Sequence, residues 1–251
     1  MQNRYAGDIG DYGKIALLRE LCAQGLSVAV HWYLAEPLKS EKNGDGTYKQ
    51  EDGRYLIPEK LRDCDQELAD RLTEIALGDD RSVYKLEQAG LIPGAIYFDD
   101  PVPVAGRTEW HNRAMKALAG ADLVFVDPDN GMLVKSVSSK SVRSVKYTFY
   151  EEVRDYVHRG QSVLIYNHRR RIPEARYFQE ICSRLQETSG VPESEIQKIT
   201  FPKCSVRDYL AVPAFEEHRK KIEAAFLSME KGIWGEMGMC RIPRPDKMAA
   251  D

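Results

Sequence analysis

The sequence lacks the features that mark several large classes of protein. No apolar run approaches the roughly 20 residues that a membrane-spanning helix needs. The first residues have no apolar stretch of the kind found in signal peptides, and the chain has neither an internal repeat nor a low-complexity tract. We therefore expect neither a membrane protein nor an exported one, and predict a cytoplasmic location.

The cysteine pattern and the net charge exclude further classes. The five cysteines are odd in number and none stands in a Cys-x-x-Cys pair. The ligand spacing of a structural zinc site is therefore absent, and reduced thiols are expected. The net charge of −3 excludes a uniformly basic surface. A local basic cleft stays open as an alternative, because nucleic-acid binding follows the distribution of charge rather than its sum.

Segments with helical periodicity alternate with short β-rich runs along the 251 residues. Helices are predicted over residues 14–23, 61–77, 109–119, 146–158, 176–188 and 216–229. Strands are predicted over residues 27–34, 95–98, 123–126, 162–166 and 198–201, with 233–242 as a candidate final strand. This alternation predicts an α/β protein with a three-layer, Rossmann-like fold, in which helices cover both faces of a mostly parallel sheet. The length suits a single domain, with an inserted polar and helical segment at about residues 36–94.

The first candidate site follows a buried strand. The apolar residues 123–126 run directly into a turn whose polar members are Asp127, Asp129 and Asn130. Ligands of open α/β sheets bind beyond the carboxyl ends of the strands. Two carboxylates at such an end are candidates for a general base and for a stabiliser of positive charge. The alternative is a plain turn, because Asp, Pro, Asn and Gly are the commonest turn residues.

The next predicted strand is followed by the basic sequence Asn-His-Arg-Arg-Arg. Asn167 and His168 are candidates for substrate contact. Arginine side chains suit phosphate oxygens, so we predict phosphate contacts for Arg169, Arg170 and Arg171. The alternative is a solvated basic loop that caps a strand.

Two segments near the N-terminus complete the candidate site. Residues 4–14 hold three glycines and two aspartates before a predicted helix, and the first turn of a helix can hold an anion. The predicted substrate contacts in this segment are Asp8, Asp11 and Lys14. The alternative for Asp11 is a helix cap. Trp32 and Tyr33 end a predicted strand and offer a stacking face for a base, with core packing as the alternative.

In chain order, these segments resemble the J-type ribosomal-RNA adenine N6-methyltransferases. That family has an N-terminal pattern His-Ala-Gly-Asn-x-x-Asp-x-x-Lys, and residues 5–14, Tyr-Ala-Gly-Asp-Ile-Gly-Asp-Tyr-Gly-Lys, are similar to it. Its catalytic Asp-Pro-Pro-Tyr follows an apolar strand, a place that residues 123–128 take here. Its later strand with a Trp-Tyr-Pro ending resembles residues 163–168. The resemblance implies a Rossmann-like fold that binds S-adenosylmethionine.

The sequence departs from that family at two places. Leu-Ala-Glu-Pro, at residues 34–37, stands where the family has closely spaced glycines, and the nearest glycines come later, at Gly44 and Gly46. Asp129 and Asn130 replace the Pro and Tyr of the catalytic motif. The aromatic ring that would stack on adenine is therefore missing, and a second carboxylate is present. Carboxylates stabilise the positive sugar that forms when an N-glycosidic bond breaks.

A strand that ends in Asp-Pro, with a later strand followed by a histidine loop, is also similar to uracil-DNA-glycosylase-type enzymes. Both enzyme types take a base out of the stack. We therefore predict an enzyme that acts on an extruded base, with base excision by a DNA glycosylase narrowly preferred to methyl transfer. The predicted catalytic residues are Asp127, Asp129, Asn130 and His168. The predicted partner is nucleic acid, DNA in the first instance, and phage defence is one setting for such an enzyme.

Three alternatives stay open. A methyltransferase would bind S-adenosylmethionine at residues 43–46, whereas the glycosylase prediction includes no cofactor. The second alternative is a catalytically inactive nucleic-acid-binding or sensor protein on the same fold. A metal-dependent nuclease would hold magnesium between Asp99, Asp100, Asp127 and Asp129.

Overall fold

The computed structural model describes residues 1–44, 56–169 and 172–241. Its strands are β1 (Val28–His31), β2 (Ile96–Phe98), β3 (Leu123–Val126), β4 (Gly131–Met132), β5 (Tyr147–Thr148), β6 (Ser162–His168), β7 (Gln197–Phe201) and β8 (Arg207–Val212). Its α-helices are α1 (Ile9–Ala23), α2 (Glu59–Arg62), α3 (Gln66–Leu77), α4 (Val83–Gln88), α5 (Arg107–Ala117), α6 (Tyr150–His158), α7 (Glu174–Ser189), α8 (Glu216–Lys231) and α9 (Ile233–Glu236). Within these ranges no helix is long and apolar enough to cross a membrane.

Six strands form one mixed sheet in the order β2-β1-β3-β6-β8-β7. The strands β2, β1, β3 and β6 run parallel to one another. Strand β8 is antiparallel to both of its neighbours, β6 and β7. The short strands β4 and β5 pair separately, in parallel. This mostly parallel sheet with its helices confirms the prediction of an α/β, Rossmann-like fold.

The central strands are buried on both faces. Successive strand residues point to opposite faces of a sheet. Phe125 and Leu164 belong to a core cluster that includes residues of α1, α3 and α8. Their neighbours Val124 and Ile165 belong to a second cluster with residues of α5, α6 and α7. The sheet therefore separates two cores, which explains why the strands read as continuous apolar runs.

The C-terminal part of the chain differs from the prediction. Residues 233–236 form α9 rather than a strand, and the only pairing described nearby is an isolated bridge between Thr200 and Cys240; Ile242 lies outside the described residues. Strand β8 was not predicted. Its first two residues, Arg207 and Asp208, are charged but only 6% and 0% exposed, so its start resembles a loop in the sequence.

The helices also differ from the prediction in detail. The predicted helix over residues 61–77 is two helices, α2 and α3. The helices α2, α3 and α4 lie between β1 and β2 in the chain, within the segment predicted to be polar and helical. Helix α1 begins five residues earlier than expected, because the side chain of Asp8 accepts hydrogen bonds from the backbone N–H groups of Gly10 and Asp11.

Candidate active site

A cavity of about 320 Å³ lies where the strands of the parallel part of the sheet end. Its walls come from the first turns of α1, the turn after β3, the end of β6 and the β7–β8 connection. We call this cavity the cleft. The chain that follows three neighbouring parallel strands contributes to it, through Glu41 after β1, Asp129 after β3 and His168 at the end of β6. This agrees with the general position of ligand sites in open α/β sheets.

Lys14 joins two of the predicted motifs. Its Nζ lies 2.7 Å from Asp11 Oδ1 and 2.6 Å from Asp127 Oδ2, and all three side chains are buried. Burial alone would lower the pKa of Lys14, but the two carboxylates beside it raise that pKa above its ordinary value. Breaking such a buried ion pair is strongly destabilising. Lys14 therefore fixes the start of α1 against the end of β3.

The two aspartates after β3 have different electrostatic surroundings. Burial raises the pKa of Asp127, against the opposing effect of Lys14. Burial would also raise the pKa of Asp129, but two cations outweigh it and hold that pKa below its usual value. These cations are the Met1 ammonium, 3.0 Å from Asp129 Oδ1, and Lys146 Nζ, 3.3 Å from Oδ2. Asp129 is therefore the member of the pair whose surroundings favour the anion more strongly.

Asp8 is a third carboxyl group in the cleft. Its Oδ1 accepts hydrogen bonds from Gly10 N at 2.7 Å and from Asp11 N at 3.1 Å. Burial and then the neighbouring Asp11 raise the pKa of Asp8 to about 6, although Arg207 and Lys14 act in the opposite direction. Asp8 rather than Asp11 is thus the helix cap, and it can exchange a proton near neutral pH.

Asn130 and His168 form the rim between the cleft and a second, larger groove. The groove has a volume of about 790 Å³, and both residues line both cavities. The backbone of His168 donates to the carbonyl oxygen of Asn130 at 3.3 Å. Burial and then Arg207 lower the pKa of His168. The imidazole is therefore neutral near pH 7 and can both donate and accept a hydrogen bond.

Asn167 lies beside the larger groove and shapes the turn after β3. Its Oδ1 accepts a hydrogen bond from Met132 N at 2.7 Å, and its Nδ2 donates to the Tyr177 hydroxyl. Gly131 has a φ of +105°, and a Cβ there would lie 2.0 Å from Asn167 Oδ1. Only glycine combines this backbone conformation with this close approach. Asn167 therefore contributes to the shape of the site.

The structure corrects the prediction for Arg169. Its guanidinium binds Asp208 at 2.9 and 2.7 Å and Glu174 at 2.9 Å. Its side chain is 8% exposed, so these internal partners occupy the donors that phosphates were predicted to bind. The other two members of the predicted phosphate loop, Arg170 and Arg171, lie outside the described residues.

The structure also corrects the stacking face predicted at the end of β1. Trp32 and Tyr33 are 1% and 0% exposed. Trp32 Nε1 donates to Glu87 at 2.8 Å, and the Tyr33 hydroxyl donates to Glu152 at 3.0 Å. Both rings therefore pack in the interior, and the core-packing alternative describes them correctly.

Several residues of the cleft were not predicted from the sequence. Arg207 is buried, and its Nη1 donates to the carbonyl oxygens of Lys203 and Ser205. Lys146 bridges Asp129 and Glu41, with its Nζ 2.6 Å from Glu41 Oε1. No local motif marks Arg207, because it opens a strand that the pattern did not indicate. Lys146 belongs to a run of basic residues that is visible in the sequence.

Met1 fills the crevice between β1 and β3. Its ammonium donates to the carbonyl oxygens of Tyr33 at 3.1 Å and Asp127 at 2.7 Å. Because β2 and β3 lie on opposite sides of β1, this crevice is the topological switch point at which Rossmann-like sheets bind nucleotides. Of the predicted cofactor loop, Asn43 and Gly44 are exposed, and residues 45–46 lie outside the described part. Among the described residues, Met1 therefore occupies the part of the switch point where a nucleoside cofactor would bind.

The four aspartates of the predicted magnesium site do not lie together. Asp99 and Asp100 follow β2, and Asp100 pairs with Arg113 at 3.0 Å rather than facing the cleft. In the part of the chain that the structure describes, no group of three or more His, Cys, Asp or Glu residues is arranged to hold a metal ion.

The chain matches no family model, no curated protein and no solved structure. The chemistry of the cleft is therefore inferred from the arrangement of its side chains.

Proposed function

We propose that the protein is a nucleic-acid base-directed N-glycosylase, which cleaves the bond between a sugar and a base extruded from its strand. One observation carries the proposal: the cleft holds Asp8 with a pKa raised to about 6 and Asp129 with a pKa below its usual value. Environments that displace the pKa values of two carboxyl groups in opposite directions provide an acid and an anion at the same pH. The cleft volume of about 320 Å³ is at the lower end for small-ligand sites, which suits one nucleoside.

The proposed reaction divides the work between these two carboxyl groups. The bond between C1′ and the base nitrogen breaks, and its electron pair leaves with the base. Ionised Asp129 stabilises the positive charge that develops on the sugar. Protonated Asp8 gives its proton to the leaving base. A water molecule then adds its oxygen to C1′, and its released proton restores Asp8.

The remaining cleft residues receive supporting roles in this proposal. The Asn130 amide and the neutral His168 ring provide hydrogen bonds to the edge of the base. Asp127, predicted as a catalytic acid, has its Oδ2 bound to Lys14. We assign it a positioning role, because this pair holds the start of α1, and with it Asp8, beside the turn after β3.

Methyl transfer is the second candidate. The observation that favours it is the ion pair between Lys14 and Asp127, which joins the two segments that resemble the adenine methyltransferases. Met1 in the switch-point crevice disfavours it. The glycosylase is therefore the preferred proposal.

Mass spectrometry of a panel of nucleic acids separates these candidates. Single- and double-stranded DNA and RNA, with ordinary and modified bases, are incubated with and without S-adenosylmethionine. We expect a free base and an abasic strand without the cofactor, from the wild type but not from Asp129→Asn. The matched control is Asp100→Asn, which removes an exposed carboxylate outside the cleft and should keep full activity.

Two other results would overturn the glycosylase. A mass gain of one methyl group that requires S-adenosylmethionine would establish the methyltransferase. Tight binding without any change in mass across the whole panel would establish the inactive binding or sensor protein.

A further inference from the structure

Residues 135–146 form a basic segment in a chain whose net charge is −3. Its 12 residues include four lysines or arginines, five serines and no acidic residue. The four basic residues are Lys135, Lys140, Arg143 and Lys146. Such a local concentration of one charge is the usual electrostatic footprint of a nucleic-acid surface.

Among the described residues, the outward-facing charges of the basic segment have no carboxylate partner. Lys135, Lys140 and Arg143 are exposed, and across residues 1–44, 56–169 and 172–241 none of them lies within 4.0 Å of a carboxylate oxygen. Arg107 and Arg169, in contrast, are bound to carboxylates inside the protein. The charge of the three exposed side chains is therefore available to a ligand.

The basic segment connects the two cavities. Lys135 and Ser136 line the larger groove at one end, and Lys146 lines the cleft at the other. Backbone hydrogen bonds join the chain before the segment to the chain at and after its end, from Asn130 N to the Lys146 carbonyl at 3.0 Å and from Leu133 N to the Thr148 carbonyl at 2.9 Å. A ligand that extends from the cleft into the groove thus meets Lys146 and Lys135, and the same segment carries the exposed Lys140 and Arg143 between them in the chain.

The groove itself adds a fixed cation. Arg184 lines the groove, and its guanidinium carbon lies 3.9 Å from the centre of the Tyr150 ring. Its Nη1 also donates to the carbonyl oxygen of Leu133 at 3.2 Å. The guanidinium is therefore held in one orientation beside the segment.

We propose that the basic segment and the adjoining groove bind the sugar–phosphate backbone of the strand from which the base is extruded. This inference rests on the proposed function and names the surface that holds its polymeric substrate. Lysine, arginine, serine hydroxyls and backbone N–H groups are the common donors to phosphate oxygens. The segment takes over the role that the sequence assigned to Arg169.

The test measures strand binding separately from base release. The probe is a fluorescein-labelled single-stranded DNA of about 12 nucleotides, followed by anisotropy over a range of salt concentrations. The test variant combines Lys135→Gln, Lys140→Gln and Arg143→Gln. The matched control combines Lys116→Gln, Lys220→Gln and Lys231→Gln, which removes equal charge from exposed positions on α5 and α8.

We expect the test variant to bind the strand at least about tenfold more weakly at low salt. Its slope of log affinity against log salt should be shallower by roughly 2, since each phosphate contact on a single strand contributes about 0.7. The control variant should bind like the wild type. Base release from a free nucleoside, which lacks the phosphate backbone, should be equal in all three proteins.

Binding by the test variant that equals wild-type binding would overturn the inference, as would equal weakening in both variants. A wild type that releases no base from any substrate would overturn the proposed function instead. The binding comparison would still decide the role of the segment in that case.

Discussion

Two of the buried ion networks among the described residues, one beside each core of the sheet, differ in what surrounds them. The closed network centres on Arg107, whose guanidinium bonds Glu152 at 2.6 and 3.0 Å and the carbonyl oxygens of Ser144 and Tyr147. The ring of Phe149 lies 3.8 Å from the guanidinium carbon. The open network centres on Lys14 and borders the cleft.

The difference shows that a buried charge does not by itself mark a functional site. In the closed network the donors of Arg107 bind groups that shape the fold. In the open network, Asp8 and Asp129 face a cavity and have pKa values displaced in opposite directions. The cavity, together with this displacement, distinguishes the candidate site. Four substitutions test that distinction.

Arg107→Met tests the closed network and has the largest expected effect. It leaves Glu152, whose side chain is 6% exposed, buried without its cation. Removing one partner of a buried ion pair costs about 3–5 kcal/mol, so we expect the free energy of unfolding in urea to fall by about that amount. Base release per folded molecule should not change. The double variant Arg107→Met/Glu152→Leu should recover only the part of the loss that comes from the unpaired Glu152 charge, because the Tyr33 hydroxyl and the Phe149 N–H then lose their acceptor. A loss below about 1 kcal/mol in the single variant would contradict a structural role.

Asp129→Asn tests the open network through activity. Removing one group that stabilises charge in a transition state costs about 100- to 1000-fold in rate. We expect kcat for base release to fall by that factor with little change in KM, because the anion acts on the developing sugar cation. Steady-state kinetics on one oligonucleotide provides the measurement, with Asp100→Asn as the control. Full retention of kcat would remove Asp129 from the mechanism.

Asp8→Asn tests the open network through the pH dependence of stability and of base release. Asparagine caps helices as well as aspartate does, so the variant keeps the cap and loses only the titration. Because the pKa of Asp8 in the folded protein is raised from 3.8 to about 6, the folded state binds this proton more tightly than the unfolded state. The stability contributed by the group is therefore full below about pH 4 and is lost as the pH rises through about 6.

We expect the unfolding free energy of the wild type, relative to Asp8→Asn, to fall by on the order of 3 kcal/mol between about pH 4 and about pH 8. Urea denaturation of both proteins across this range provides the measurement. Wild-type base release should also decline above about pH 6, because the acid is then deprotonated. A stability difference that does not change with pH would show that Asp8 does not titrate in this range.

Lys146→Gln has the smallest expected effect. Lys146 is one of the cations that lower the pKa of Asp129, so its loss should raise that pKa. Since Asp129 acts as an anion, the acidic limb of the pH–rate profile should move to higher pH. The side chains of Lys146 and Asp129 are only 11% and 7% exposed, but Asp129 keeps the Met1 ammonium at 3.0 Å as a second cation. We therefore expect a stability loss smaller than the loss of about 3–5 kcal/mol expected for Arg107→Met. An unmoved acidic limb would contradict the role of Lys146.

The sequence predicted the sheet because local patterns determine it. Apolar runs such as residues 123–126 need burial on both faces, whichever helices cover them. The sequence placed the segments of Lys14 and Asp127 in one candidate site, and the structure brings them into contact, but their ion pair was not predicted. The roles of individual side chains did not follow, because they depend on partners distant in the chain. Arg169, for example, binds Asp208 on the unpredicted strand β8.

Two further roles, that of the Trp32 ring and that of the residue capping α1, were misjudged or left open for the same reason. A ring such as that of Trp32 reads equally as a stacking surface or as core, and only the position of Glu87 on α4 settles which way it faces. For the cap of α1 the sequence analysis named Asp11. Lys14 and the Gly7 N–H bind the Asp11 carboxylate instead, and Asp8 accepts the hydrogen bonds from the first N–H groups of the helix.

Gly131 limits how this protein can diverge over evolutionary time. A side chain at position 131 would displace the Asn167 amide, which holds both Met132 and the Tyr177 hydroxyl. A smaller residue at position 167 would not admit that side chain, because a Cβ at 131 would still lie 2.9 Å from the Cα of residue 167 and the φ of +105° would remain strained. Homologues should therefore keep this glycine even where the residues of the cleft have changed to suit another substrate, whereas Asn167 is free to vary with its partners.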